Sequence, residues 1–84
     1  MHKRGSGKQT KEKAYFKAEL LRISALIQKR RKEMGLTQEE FAERLEVSDT
    51  TIRFIEQNRR VPSLPMLFRI AKGMNLRIDL IKIR

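Results

Sequence analysis

An all-α domain of four to five short helices, closed by a C-terminal β-strand, is what this sequence predicts, and three observations carry that expectation. Apolar residues recur at spacings of three and four from Glu12 to Met34. A helix-start signature then appears three times, at Thr37, Ser48 and Ser63. The last ten residues, NLRIDLIKIR, change to a two-residue alternation. A chain of 84 residues supports one small domain with a correspondingly small core.

Taken in order, MHKRGSGKQTK is polar, lysine-rich and contains Gly and Ser, so it buries too little apolar surface to order itself. Residues 1–11 are therefore expected to form a flexible basic arm, and residues 12–75 the helical domain. Phe16, Leu20, Ile23, Leu26 and Ile27 supply the apolar stripe of a first helix over Lys13 to Met34. Gly35 suits a left-handed cap there, and Arg30, Arg31 and Lys32 suit the negative end of the helix dipole. Thr37 caps a second helix, with Glu40 completing a capping box and Leu36 and Phe41 a hydrophobic staple. Ser48 caps a third, stapled by Val47 and Ile52; Ser63 caps a fourth, stapled by Pro62 and Leu67 and ended by Gly73. In residues 76–84, Leu76, Ile78 and Leu80 alternate with Arg77 and Asp79, and β-branched Ile81 and Ile83 extend the strand signal.

The formal charge of +10 points to a polyanionic partner, because Lys and Arg displace counterions from a phosphate backbone. Met1 to Met34 carries 11 basic and 3 acidic residues, a net +8, whereas Gly35 to Arg84 carries 9 and 7, a net +2. No cysteine is present, which removes disulfides, thiolate metal sites and thiol nucleophiles and fits a reducing cytoplasm. Neither a signal-peptide h-region nor an apolar run of membrane-spanning length occurs, so no membrane partner is expected. A basic amphipathic first helix can also lie on an anionic surface, but the domain core uses its stripe more simply. Nor is an enzyme expected: His2 is the single histidine, no nucleophile–base or metal-ligand constellation exists, and no cofactor motif is seen.

The second and third helices are each too short to be stable alone, and only LEVS separates them. Phe41, Ala42 and Leu45 on one and Ile52 and Ile55 on the other face a shared core, with Ala42 small where the helices cross. A pair fixed at a steep angle by so short a turn is a helix-turn-helix, whose second helix can enter a DNA major groove. In GLTQEEFA, the small Ala42, Ile52, Ile55 with Glu56, and Pro62 to Leu64, the chain resembles the lambdoid-phage-repressor-like or XRE family. That likeness runs from about Ile23 to Asn75. One position departs, since the family usually has Gly in the turn where this chain has Glu46; a left-handed Glu46 costs roughly 1 to 2 kcal/mol, unless the turn is remodelled.

The resemblance implies double-stranded operator DNA as partner and gives the residues roles. Gln38 is expected to clamp a phosphate at a helix N-terminus. Ser48, Asp49, Thr50, Arg53 and Phe54 occupy groove-facing positions of the third helix. Arg53 can bond a guanine edge or a phosphate, and Thr50 a base edge or thymine methyl; Asp49 accepts from a cytosine amino group or serves the positive helix end. Phe54 lies off the core stripe, where it can meet a thymine methyl or pack beneath the basic arm. Asn58, Arg59 and Arg60 are expected to position the phosphate backbone, and Arg31 and Glu56 to form a partly buried structural ion pair.

The terminal LRIDLIKIR resembles the segment through which antitoxins of HipAB-type operons dimerise. Leu76, Ile78, Leu80, Ile81 and Ile83 are accordingly expected at a homodimer interface. The implied function is a cytoplasmic, nucleoid-associated repressor that is the antitoxin of a toxin-antitoxin operon, with a toxin protein as further partner. A stand-alone phage- or mobile-element-type regulator is the alternative.

Overall fold

The computed structural model describes residues 6–83, and the side chains of residues 11–83. It contains four helices in order: α1 (Ser6–Glu33), α2 (Gln38–Leu45), α3 (Asp49–Glu56) and α4 (Leu64–Gly73). Each of the three short helices is started by one side chain that takes up a backbone N–H its own helix cannot bond. Thr37 accepts from the Glu40 N–H at 3.0 Å while the Thr37 N–H donates to the Glu40 carboxylate at 2.9 Å. Ser48 accepts from Thr51 N–H at 3.1 Å, and Ser63 from Met66 N–H at 3.2 Å.

All four helices also stop in one way. A left-handed residue follows each, at Gly35 (φ 73°), Glu46 (φ 61°), Asn58 (φ 61°) and Asn75 (φ 59°). The next N–H then bonds the carbonyl five residues back: Leu36 to Arg31, Val47 to Ala42, Arg59 to Phe54 and Leu76 to Ala71, at 3.2, 3.0, 2.8 and 2.8 Å. Gly and Asn tolerate this conformation; Glu46 bears the strain, so the turn is left-handed rather than remodelled, at a cost of roughly 1 to 2 kcal/mol. Gly73 is the last residue of α4 but not its turn residue. A Cβ there would collide with the Leu45 side chain, so the glycine serves the close approach of α4 to α2.

The core is a single cluster of Ile27, Phe41, Ala42, Leu45, Ile52, Ile55, Ile70 and Met74, with Ile23, Met34, Leu36, Val47, Met66 and Leu67 packed on its edge. Arg30 Nε adds a bond of 3.1 Å to the Met74 carbonyl, tying the inner part of α1 to the end of α4.

Three expectations need correction. The helical backbone begins at Ser6, not near Glu12, because straight-chain Lys, Gln and Glu lose little rotamer freedom on a helix that is anchored further along. Of the expected basic arm, residues 1–5 lie outside the described residues. The stripe of α1 is only partly used: Ile27 is buried, but Phe16 is 58 % and Leu26 47 % exposed. At 28 residues α1 is about 42 Å long, while helices of 8 to 10 residues reach about 12 to 15 Å and leave its first half with nothing opposite. Edge-on packing of Tyr15 against Phe16, with ring centroids 5.8 Å apart, partly offsets that. A bond of 2.8 Å from Arg22 to Glu19 does likewise and draws the Glu19 carboxyl below the usual carboxylate range.

The third correction is the C-terminal β-strand. Among the described residues there is no strand, and Arg77–Ile83 enter no backbone–backbone hydrogen bond. A strand needs a neighbouring edge to bond, and an otherwise helical single chain offers none. Leu80, Ile81 and Ile83 are left 97 %, 81 % and 90 % exposed.

Candidate nucleic-acid interface

At 100° per residue, α3 divides into two faces. Ile52, Ile55 and Glu56 point inward and are buried. Asp49, Thr50, Arg53, Phe54 and Gln57 fall within an arc of about 140° on the opposite side. Arg53 ties that arc together, donating from Nη2 to Thr50 Oγ1 at 3.2 Å with Nη1 3.8 Å from Asp49 Oδ2. Its partners are half-exposed polar groups one turn away and the contacts are long, so the guanidinium can leave them for a stronger acceptor at little cost.

Behind that face α3 is bolted to α1 and α2. Arg31 donates from Nε to Glu56 Oε2 at 2.7 Å and from Nη2 to Oε1 at 3.0 Å, with side chains only 8 % and 1 % exposed. The third guanidinium nitrogen bonds the Leu36 carbonyl at 2.7 Å. Gln38 Nε2 donates to Glu56 Oε1 at 2.9 Å. Gln38 is thus half-buried at the start of α2 with its amide nitrogen engaged, and the first backbone N–H groups of the helix have no partner within it.

At the far end of α3, Asn58 adopts the left-handed turn, and the Ser24 hydroxyl of α1 lies 3.0 Å from its Oδ1 and 2.9 Å from the Ile55 carbonyl. Arg59 folds back over Phe54 with its guanidinium carbon 4.6 Å from the ring centroid, and Arg53 stands 5.8 Å from the same ring. Two guanidinium groups near one ring give the half-exposed Phe54 partners within the chain. Arg60 Nη1 donates to Thr51 Oγ1 at 3.2 Å, and that hydroxyl lies 2.8 Å from Ser48 Oγ. Arg59 and Arg60 therefore edge one side of α3, and Arg53 lies between them and Asp49. On its other flank Glu39, Glu40, Glu43 and Asp49 surround Val47.

Sequence reasoning passed over three residues here. Gln57 lies in the middle of the outward arc, between Arg53 and Thr50, and extending the 100° count one residue past the helix end finds it. Thr51 joins Ser48 to Arg60, and Ser24 holds the Asn58 turn; the Arg60 and Asn58 partners have no local sequence signal, because they lie 9 and 34 residues away. No cluster of three His, Cys, Asp or Glu side chains suited to a metal ion occurs among the described residues, and no described helix is long and apolar enough to cross a membrane.

The short α2–α3 pair with its tight left-handed turn, its buried anchor and the polar outward arc define a helix-turn-helix. The helix-turn-helix family model HTH_3 matches residues 27–81, and the chain belongs to that family of DNA-binding transcription regulators. It is 51 % identical over 52 residues to an uncharacterized HTH-type transcriptional regulator of Methanothermobacter thermautotrophicus, covering 62 % of this chain and 75 % of that one. It is 41 % identical over 61 residues to the ImmF control region 10 kDa protein of Bacillus phage phi105, covering 73 % and 68 %. Among solved structures, the restriction-modification controller protein C.Esp1396I superposes with a TM-score of 0.65 at 37 % identity, over 68 % of this chain and 73 % of that one. A chain of the HipA-HipB-O2-O3 complex gives 0.70 at 23 % identity over 77 % and 92 %, a likeness of fold.

Proposed function

We propose that this chain is a sequence-specific repressor that binds double-stranded operator DNA as a homodimer, with α3 in the major groove. The observation that carries it is the outward arc of α3, where Thr50 and Arg53 stand clear of the core with Arg59 and Arg60 beside them. In this reading Arg53 exchanges its weak exposed partners for a base edge and Thr50 reads a neighbouring edge or methyl, while Asp49 accepts from a cytosine amino group or remains with Arg53. The free N–H groups at the starts of α2 and α3, that of Gln38 among them, hold phosphates together with the Ser48 hydroxyl, with Asn58, Arg59 and Arg60 at the other side. The acidic flank of α2 repels a duplex and so bounds the footprint. Thr50→Ala and Arg53→Ala are each expected to reduce discrimination between operator and random duplex by about 1 to 3 kcal/mol, with melting unchanged. Equal losses on both duplexes would assign these side chains to phosphates instead.

Dimerisation in this reading uses the terminal segment. Leu76, Ile78, Leu80, Ile81 and Ile83 are too apolar to remain in water, and their backbone groups can be paired by the same segment of a second copy. The chain truncated after Asn75 is expected to sediment as a monomer and to lose operator affinity. A truncated chain that stays dimeric would move the interface to the helices.

A finer reading makes this repressor the antitoxin of an operon it autoregulates, supported by the likeness of LRIDLIKIR to the pairing segments of HipAB-type antitoxins. A toxin gene adjoining this one, and co-purification of its product with this chain, is the required result. The 41 % identity to the phage phi105 protein favours the alternative, a stand-alone phage-type regulator with no toxin partner.

A further inference from the structure

We infer that the terminal segments of two copies pair antiparallel with Ile78 on the two-fold axis, and that the leucines beside it close an apolar groove between α1 and α4. The inference rests on the tail-mediated dimer proposed above and adds its register. Two observations lead to it.

The first is the groove, of about 340 Å³, walled by Ile23 and Leu26 of α1 and Leu67 of α4 and rimmed by the chain's own Leu76, Ile78 and Leu80. Leu76 and Ile78 are 40 % and 36 % exposed, Leu80 97 %. Arg77 and Asp79 line the groove as well, so the single segment runs along its rim without filling it. A two-stranded pairing is marginal in water unless one face packs on something, and here that something adjoins it.

The second is the pattern of charge. In an antiparallel pair about a two-fold axis, directly opposed residues share a face of the ribbon and their numbers have a constant sum. With Ile78 on the axis, Leu76 lies opposite the partner's Leu80, Ile78 opposite the partner's Ile78, and Arg77 opposite the partner's Asp79, twice over. Leu76, Ile78 and Leu80 of both copies then share the face toward the groove, and both charge pairs are attractive on the other side, where Ile81 follows them. Within one chain Arg77 and Asp79 already approach to 3.8 Å, with side chains 89 % and 66 % exposed, so both are free to turn to a partner.

Every neighbouring register is worse. An axis at Arg77 or at Asp79 sets like charges face to face. An axis at Leu80 places Ile78 against the partner's Lys82 and Arg77 against the partner's Ile83. An axis between two residues opposes the Leu76, Ile78 and Leu80 set with Arg77, Asp79 and Ile81, mixing the two faces.

The cysteine-free chain makes the register directly measurable. Arg77→Cys, Ile78→Cys, Asp79→Cys and Leu80→Cys are made singly in the full chain and oxidised under one set of conditions. Only a residue on the axis meets its own copy, at a Cα separation of about 4.5 to 5.5 Å, within disulfide reach; its neighbours on either side do not. Ile78→Cys is expected to form covalent dimer at least about tenfold faster than the other three. A maximum at another position, or equal rates at all four, would overturn the register.

A second measurement uses charge. Arg77→Asp and Asp79→Arg are each expected to weaken the dimer by up to about tenfold, and their equimolar mixture to restore it as a heterodimer, since the complementary pairs then form only between copies. No restoration would also overturn the register. The truncation after Asn75 separates the two levels: a tail-dependent dimer that crosslinks elsewhere rejects this register alone, whereas a tail-independent dimer rejects tail pairing itself.

Discussion

Arg31→Ala is expected to lower the stability of the domain by roughly 3 to 5 kcal/mol, because it leaves a buried carboxylate without its cation. Glu56 has a side chain 1 % exposed, and removal of Arg31 takes away two of its three donors, leaving Gln38 alone. The Leu36 carbonyl loses its guanidinium donor as well. Small domains have only about 5 to 15 kcal/mol in hand, so the loss is a large fraction of it, and a melting point at least about 12 °C lower is expected. Arg31→Ala with Glu56→Ala should recover part of the loss, since the stranded charge is then gone and the cycle measures the coupling. An Arg31→Ala chain that melts with the parent would show that the pair contributes nothing.

The other large effect is on DNA affinity. In the proposed complex each copy brings Arg59 and Arg60 to phosphates, four cations in a dimer. At about 0.9 counterions released per phosphate neutralised, log K should fall against log salt with a slope of roughly −3.6, before any contribution of Arg53 or the lysine-rich N-terminus. Raising salt fourfold then costs about 150-fold in affinity. Fluorescence anisotropy across a salt series reads this directly. Arg59→Ala and Arg60→Ala should each flatten the slope by roughly 2 in the dimer, because each removes two cations, while Phe54→Ala frees Arg59 from its ring without removing charge and should leave the slope unchanged. A flat response would mean that the arginines do not reach phosphate.

How much of this was legible in the chain follows from the range of the interactions involved. The caps at Thr37, Ser48 and Ser63 act over three residues, and a reader of the sequence can see both partners at once. Phe41, Ile52 and Ile55 declare their burial by period. Glu46 declares its strain because a short turn between two helices needs a left-handed residue whatever its type. The Asn58 and Asn75 turns are local too, but they can be placed only once the helix ends are known. Arg59 over Phe54 crosses a turn, and Ser24 with Asn58 joins elements far apart in sequence. Gly73 looks like a helix stop and is instead the place where Leu45 passes. The reading of α1 failed differently. Its apolar period is real to Phe16, but period cannot reveal that the rest of the domain ends before the helix does. For the terminal segment the alternation is equally real, and what a strand requires lies outside a single chain.

Dimeric readout of DNA by α3 is tested most directly by selecting duplexes from a random pool with the full chain and sequencing what is retained. Two copies of α3 related by a two-fold axis and set one DNA turn apart, about 34 to 36 Å, require a palindrome with half-sites roughly 10 base pairs apart centre to centre, or a multiple of that. The expected result is such a palindrome, lost when Thr50 and Arg53 are both replaced by Ala. Retention of duplexes with no common sequence, or of a single asymmetric site unaffected by those replacements, would contradict it.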